Sequence, residues 1–100
     1  MASTTVFGPV TAVIPYEGLE EAVDIANDTR YGLACSIYSR DEEKALQMAR
    51  RIRSGGVAIN CAGVSLTQPF GGYKQSGIGR ESGRVAIEMY TELKSVCMMT

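Results

Sequence analysis

Three short β-branched runs, separated by two stretches with apolar residues at helical spacing, dominate the first sixty residues of this chain. Residues 10–16 (Val-Thr-Ala-Val-Ile-Pro-Tyr), 33–38 (Leu-Ala-Cys-Ser-Ile-Tyr) and 57–61 (Val-Ala-Ile-Asn-Cys) carry strand composition. Between the first two runs, Leu19, Ala22, Val23 and Ala26 recur on one face of a helix over 17–27, with carboxylates near its N-terminus. Gly32 fits the turn that follows. Between the second and third runs, Ser39 or Asp41 can cap a second helix, and Glu42 lies three residues after Ser39. Its apolar stripe is Ala45, Met48, Ala49 and Ile52, and Arg50, Arg51 and Arg53 suit the negative end of the dipole. Gly55 and Gly56 fit a left-handed C-terminal cap. Helical crossovers of this length permit parallel pairing, so the pattern predicts two right-handed βαβ units.

The last forty residues follow a different pattern. Residues 62–68 are small and polar and read as a loop. Residues 69–83 hold five glycines, Gly71, Gly72, Gly77, Gly79 and Gly83, where the backbone must turn tightly or approach another group closely. A short helix follows over 85–93, with Ala86, Met89, Tyr90 and Leu93 as its buried face, and then a terminal strand over 94–99. The expected fold class is α/β: a βαβαβ parallel sheet with flanking helices, then a Gly-rich loop, a short helix and a terminal strand.

Ten basic and eleven acidic residues leave a net charge of −1, so no basic field exists for nucleic acid. Residues 1–29 hold five acidic groups and no basic one, which reads as a solvated helix face. No apolar run reaches the roughly 18 residues of a membrane span, and Met-Ala-Ser-Thr-Thr lacks the regions of a signal peptide. The three cysteines, Cys35, Cys61 and Cys97, are widely spaced and there is no histidine. That pattern disfavours a zinc site and a disulfide framework, suits a reducing cytoplasm, and removes histidine-assisted nucleophilic catalysis from these residues.

The glycine stretch could cradle phosphate, with Lys74 and Arg80 adding charge. Its spacing is neither that of a P-loop nor that of a dinucleotide fingerprint, so a structural glycine loop is the reading that fits. Cys61 follows Asn60 at a predicted strand end, where α/β folds often place reactive groups; without a histidine or a cation beside it in sequence, an inert thiol fits better. Phe7 and Phe70 each adjoin glycine, as pocket-lining aromatics often do and as core aromatics also do.

Four motifs together resemble one family. Phe7-Gly8-Pro9-Val10, Ala26-Asn27-Asp28-Thr29-Arg30-Tyr31-Gly32-Leu33, Gly56-Val57-Ala58-Ile59-Asn60 and Pro69-Phe70-Gly71-Gly72-Tyr73-Lys74-Gln75-Ser76-Gly77-Ile78-Gly79-Arg80-Glu81 are similar, in order, to segments of the NAD(P)-dependent aldehyde dehydrogenase superfamily. The resemblance covers Val6 to about Val96 and corresponds to the C-terminal portion of a family member, so residues 1–100 are expected to form a single partial domain. In that family a cysteine thiolate attacks the aldehyde, hydride passes to the nicotinamide, and a glutamate-activated water releases the carboxylic acid. The nucleophile, that glutamate and the Rossmann domain lie upstream of Phe-Gly-Pro there, so these residues contribute no catalytic group. They are expected neither to oxidise aldehydes nor to bind NAD or NADP alone.

What the resemblance carries over is contacts. Phe7 matches a position near the nicotinamide. Thr5 stands where the family has a glutamate on the nicotinamide ribose, and a neutral hydroxyl cannot make that bidentate contact. Asn60 and Phe70 match positions that shape the substrate pocket, while Lys74, Ser76 and the glycines match a supporting loop. Residues 94–99 resemble a strand that pairs with a partner subunit. The implied partners are the remainder of an aldehyde dehydrogenase or a like subunit, in a homo-oligomer, with no nucleic acid, membrane or metal. The alternative is a self-standing, non-catalytic domain of the same fold that binds a partner.

Overall fold

The computed structural model describes residues 7–63 and 65–100. In chain order the elements are α1 (Gly18–Asn27), β1 (Tyr31–Gly32), β2 (Ala34–Ile37), α2 (Glu42–Arg51), β3 (Gly56–Ile59), β4 (Tyr73–Lys74) and a 3-10 helix (Arg84–Tyr90). The mixed α/β character matches the expectation. β2 and β3 pair in parallel, Ala34 with Gly56 through Ile37 with Ile59, with α2 as the crossover. β1 and β4 form a separate antiparallel pair, Tyr31 with Lys74 and Gly32 with Tyr73.

α2 forms where its sequence signals place it. The Asp41 side chain accepts from the Lys44 amide at 3.0 Å, and the Asp41 amide donates to Ser39 Oγ at 3.1 Å. Of the two candidate caps, Asp41 is therefore the one that closes the helix N-terminus. The stripe then buries Ala45 and Ile52 with Ile37 of β2, and Cys35, Met48, Ala49, Val57 and Ile59 pack around them. Val23 is the buried residue of α1.

Several expected elements are different. Residues 10–16 form no strand; they pair with no other strand among the described residues, and Val13 remains 88% exposed. A strand is stable only where a neighbour takes up its N–H and C=O groups. Among the described residues one βαβ unit is therefore present instead of two, and the three-stranded parallel sheet is replaced by two two-stranded pairs. The helix expected over 85–93 is a 3-10 helix with no buried residue, and Met89, Tyr90 and Leu93 are exposed. Its apolar face is little covered by the described residues, which weakens the main source of α-helical stability. Residues 94–99 likewise pair with no described residue.

Two glycines also serve other purposes than the expected ones. Gly32 lies in β1, buried, and not in a turn. Gly55 has no left-handed backbone, and α2 already ends at Arg51, with Ile52 extended after it. A Cβ on Gly55 would fall on the Gly71 carbonyl. The residue is glycine because another stretch of backbone fills the space beside it.

The molecule is elongated. Its Cα radius of gyration is 17.9 Å, against about 13 Å for a compact domain of this length. No helix among the described residues is long and apolar enough to cross a membrane.

Candidate functional site

The Gly-rich loop docks against the end of α1. Lys74 Nζ donates to the carbonyls of Asn27 at 2.8 Å and Thr29 at 3.1 Å. α1 has no basic residue in its last turn, so a lysine 47 positions away supplies the cation its C-terminal carbonyls favour. The Gln75 amide donates to the Arg30 carbonyl at 3.0 Å, and Ser76 Oγ accepts from the Gly32 amide at 3.0 Å. Three successive loop residues thus dock on residues 27–32.

Asn27 ties in a third segment. Its Nδ2 donates to the Arg51 carbonyl at 3.1 Å and its Oδ1 accepts from the Arg53 amide at 2.8 Å. The end of α2 is therefore satisfied by a side chain of α1. Arg51 also forms a bidentate pair with Glu20, Nη1 to Oε1 at 2.7 Å and Nη2 to Oε2 at 2.5 Å. Hydrogen bonding to Arg51, followed by its charge, lowers the Glu20 pKa. Part of the acidic run expected to be only a solvated face therefore bridges the two helices.

The loop is closed on itself at its base. Phe70 and Glu81 exchange both backbone hydrogen bonds, at 2.7 and 2.8 Å. Arg80 Nη1 donates to the carbonyls of Gly72 at 2.9 Å and Gly79 at 2.7 Å, and its guanidinium lies 5.3 Å from the centre of the Tyr73 ring. A Cβ on Gly72 would collide with Ser76. The glycines permit close backbone packing, and both cations that could hold a phosphate are engaged on carbonyl oxygens. These residues do not fit a phosphate or dinucleotide cradle of their own, in line with the reading of the spacing.

Phe70 is half-buried and lines two cavities. One is a cleft of about 480 Å³ shared with Leu33, Arg80, Met89 and Tyr90. The other, about 150 Å³, lies over β2 and β3 beside Cys35, Val57 and Gln68. Asn60 sits just past β3 with a left-handed backbone (φ 53°), which asparagine tolerates well. Its Oδ1 accepts from the Ser39 amide at 2.8 Å, and its own amide donates to Ile37 at 2.8 Å. Asn60 thus ties the ends of β2 and β3 together and lines neither cavity beside Phe70. Phe7 is 97% exposed and lines neither of them. Thr5 lies outside the described residues. Of the three singled-out residues that the structure describes, Phe70 is the one that lines these two cavities.

All three cysteines are free. Burial raises the Cys35 pKa, which keeps the thiol protonated and a poor nucleophile. Cys61 is exposed, two residues beyond the end of β3. No cluster of metal-binding side chains occurs among the described residues. Sequence reasoning missed the double role of Asn27 and the Glu20–Arg51 pair. An asparagine at a helix end next to Asp-Thr was the available signal for the first, while the second depends on how α1 and α2 sit together.

Comparison with known proteins places this geometry in context. The model of the aldehyde dehydrogenase family matches residues 1–96. A relative from Staphylococcus haemolyticus that bears an aldehyde dehydrogenase name is 51% identical over 96 residues, which is 96% of this chain and 20% of the relative. Among solved structures, the Mycobacterium tuberculosis aldehyde dehydrogenase complexed with NAD+ superposes with a TM-score of 0.88 at 47% identity, over 93% of this chain and 19% of that one. The NAD+ complex of an aldehyde dehydrogenase from Bacillus cereus gives 0.85 at 45% identity, over 90% and 18%. The P. syringae indole-3-acetaldehyde dehydrogenase AldA, bound to NAD+ and IAA, gives 0.84 at 48%, again over 90% and 18%. The chain spans about a fifth of the length of the curated relatives it matches.

Proposed function

This chain belongs to the aldehyde dehydrogenase family, and from that premise we propose that it forms one wall of an enzyme that oxidises an aldehyde to a carboxylic acid with NAD+ or NADP+. In this reading it is the C-terminal portion of the catalytic domain, residues 1–100 acting as a single partial domain. Phe70 and Asn60 shape the substrate pocket, and Phe7 faces the nicotinamide end of the cofactor. The thiol nucleophile and most of the cofactor site are supplied by the remainder of the enzyme or by a like subunit. Residues 94–99 pair with a partner in a homo-oligomer, and the free thiols suit a reducing cytoplasm.

The observation that carries this reading is surface. The chain exposes 8661 Å², against about 5500 Å² for a compact monomer of its mass. Phe7, Val10, Val13, Tyr90, Leu93, Val96 and Met98 are all uncovered. Uncovered apolar side chain on this scale is the mark of surface that packs against another body. It lies on a segment 96% of which aligns with one-fifth of a longer relative.

Complementation tests the proposal. The chain alone, with NAD+ or NADP+ and a panel of aldehydes, is expected to give no turnover. Co-expression with the S. haemolyticus relative, truncated to remove its matching 96 residues, is expected to restore NAD(P)+-dependent oxidation. Turnover by the chain alone, or a soluble co-purifying pair without activity, would overturn it.

A further inference from the structure

Lys74 makes no ion pair among the described residues; its ammonium donates to the carbonyls of Asn27, which ends α1, and of Thr29 just beyond it. Its backbone is left-handed, at φ 54°, a conformation unfavourable for a lysine unless its surroundings hold it. Its strand partner is Tyr31, and Ser76 and Gln75 fasten the same tip to Gly32 and Arg30. At the other end of the loop, the Phe70–Glu81 pairing and the Arg80 contact to Gly72 close the base. Between Phe70 at the cavity and Lys74 at the anchor lie only Gly71, Gly72 and Tyr73, and the space beside both glycines is filled by neighbouring atoms. Little slack remains, so the position of Phe70 follows that of Lys74.

We propose that Lys74 is a positioning residue: clipped onto the end of α1, its ammonium holds the 70–81 loop in register and so sets where Phe70 stands in its cavities. The consequence for substrate rests on the aldehyde dehydrogenase reading above; the anchoring does not. A cation on two carbonyls makes hydrogen bonds of the stronger class. Losing them frees the tip without disturbing β2 and β3, which pair through a separate set of bonds.

Amide hydrogen exchange on the full chain tests the anchor. In Lys74→Met, exchange at Gly32 and Gln75 is expected to speed up by about ten- to a hundredfold. The Asn60 amide, bonded to Ile37 in the β2–β3 unit, should keep its rate and serves as the folding control. Lys74→Arg, which keeps a cation and its donors, is expected to restore most of the protection. Unchanged Gly32 and Gln75 rates in Lys74→Met would overturn the anchor. So would Asn60 accelerating along with them, or Lys74→Arg behaving like Lys74→Met. If Lys74→Met cannot be purified folded, Lys74→Gln, which shortens the side chain and removes the cation, decides the same point: faster exchange at Gly32 and Gln75 with Asn60 unchanged is expected, and unchanged Gly32 and Gln75 rates would overturn the anchor. In the complemented enzyme, Lys74→Met should raise KM for the aldehyde about tenfold with kcat held within about threefold. The reverse pattern would overturn the link to Phe70. Absence of turnover in the unmutated complemented pair would instead count against the aldehyde dehydrogenase reading, leaving exchange to decide the anchor.

Discussion

Gly55 shows how little a residue type says about its own cause. A glycine pair after a basic helical turn resembles a cap, yet Gly55 carries no left-handed backbone. Its hydrogen atom faces the Gly71 carbonyl, and a methyl group there would have to displace backbone. Gly56, its neighbour, has only the Leu33 carbonyl at 3.9 Å from the same imagined atom, an ordinary contact. Gly55→Ala is therefore expected to destabilise the chain by about 1–3 kcal/mol through forced backbone shifts. Gly56→Ala should be neutral, or stabilising by up to about 1 kcal/mol through the unfolded state. Urea denaturation of both variants checks the contrast, and equal effects would contradict it. Asn27 carries the complementary lesson. Its identity follows from bonding the carbonyl that ends α2 and the Arg53 amide two residues beyond it, which no local pattern discloses.

At the scale of elements, α1 and α2 are joined by an exposed ion pair whose pH dependence has a definite sign. Arg51 lowers the Glu20 carboxyl below its ordinary value of 4.5. A carboxyl depressed in the folded state binds fewer protons than in the unfolded chain. Its contribution is complete above the unfolded value and is lost as pH falls through the folded one. Below about pH 4.5, thermal midpoints of the native chain should fall more steeply than those of Glu20→Gln. The gap between the two should narrow in about 1 M salt, because the pair faces solvent. Parallel midpoint curves for the two proteins would remove Glu20 from the acid response. β2, α2 and β3, by contrast, hold together through buried apolar contacts, and their integrity should be insensitive to salt.

For the molecule as a whole, the balance of core and surface decides behaviour. Four apolar side chains are buried among the described residues, Val23, Ile37, Ala45 and Ile52, a small core to hold an ordered chain. The surface exceeds that of a compact monomer by about 3000 Å², more than the roughly 1600 Å² of a standard interface. Alone in solution, the chain is expected to self-associate or to bind hydrophobic dyes. Its sedimentation coefficient should rise with concentration over the micromolar range. A compact monomer with a single sharp melting transition would contradict this. Co-expression with the truncated S. haemolyticus relative of the complementation test should suppress the association.

Strand and helix composition, the Asp41 cap, the apolar stripe of α2 and the parallel pairing of β2 with β3 were legible in the sequence. Each depends on side-chain chemistry within a few residues, or on one crossover whose length permits a single arrangement. The close backbone packing of the 69–83 loop was legible too, because its five glycines leave room that any Cβ at Gly71 or Gly72 would fill. Tertiary structure alone decided that residues 10–16 stay unpaired, that Gly55 makes room for Gly71, and that Lys74 closes the end of α1. A strand needs a neighbour, a missing Cβ needs an occupant, and a distant cation needs a carbonyl within reach. Those partners are chosen by how the whole backbone folds back on itself, not by any stretch of residues read in isolation.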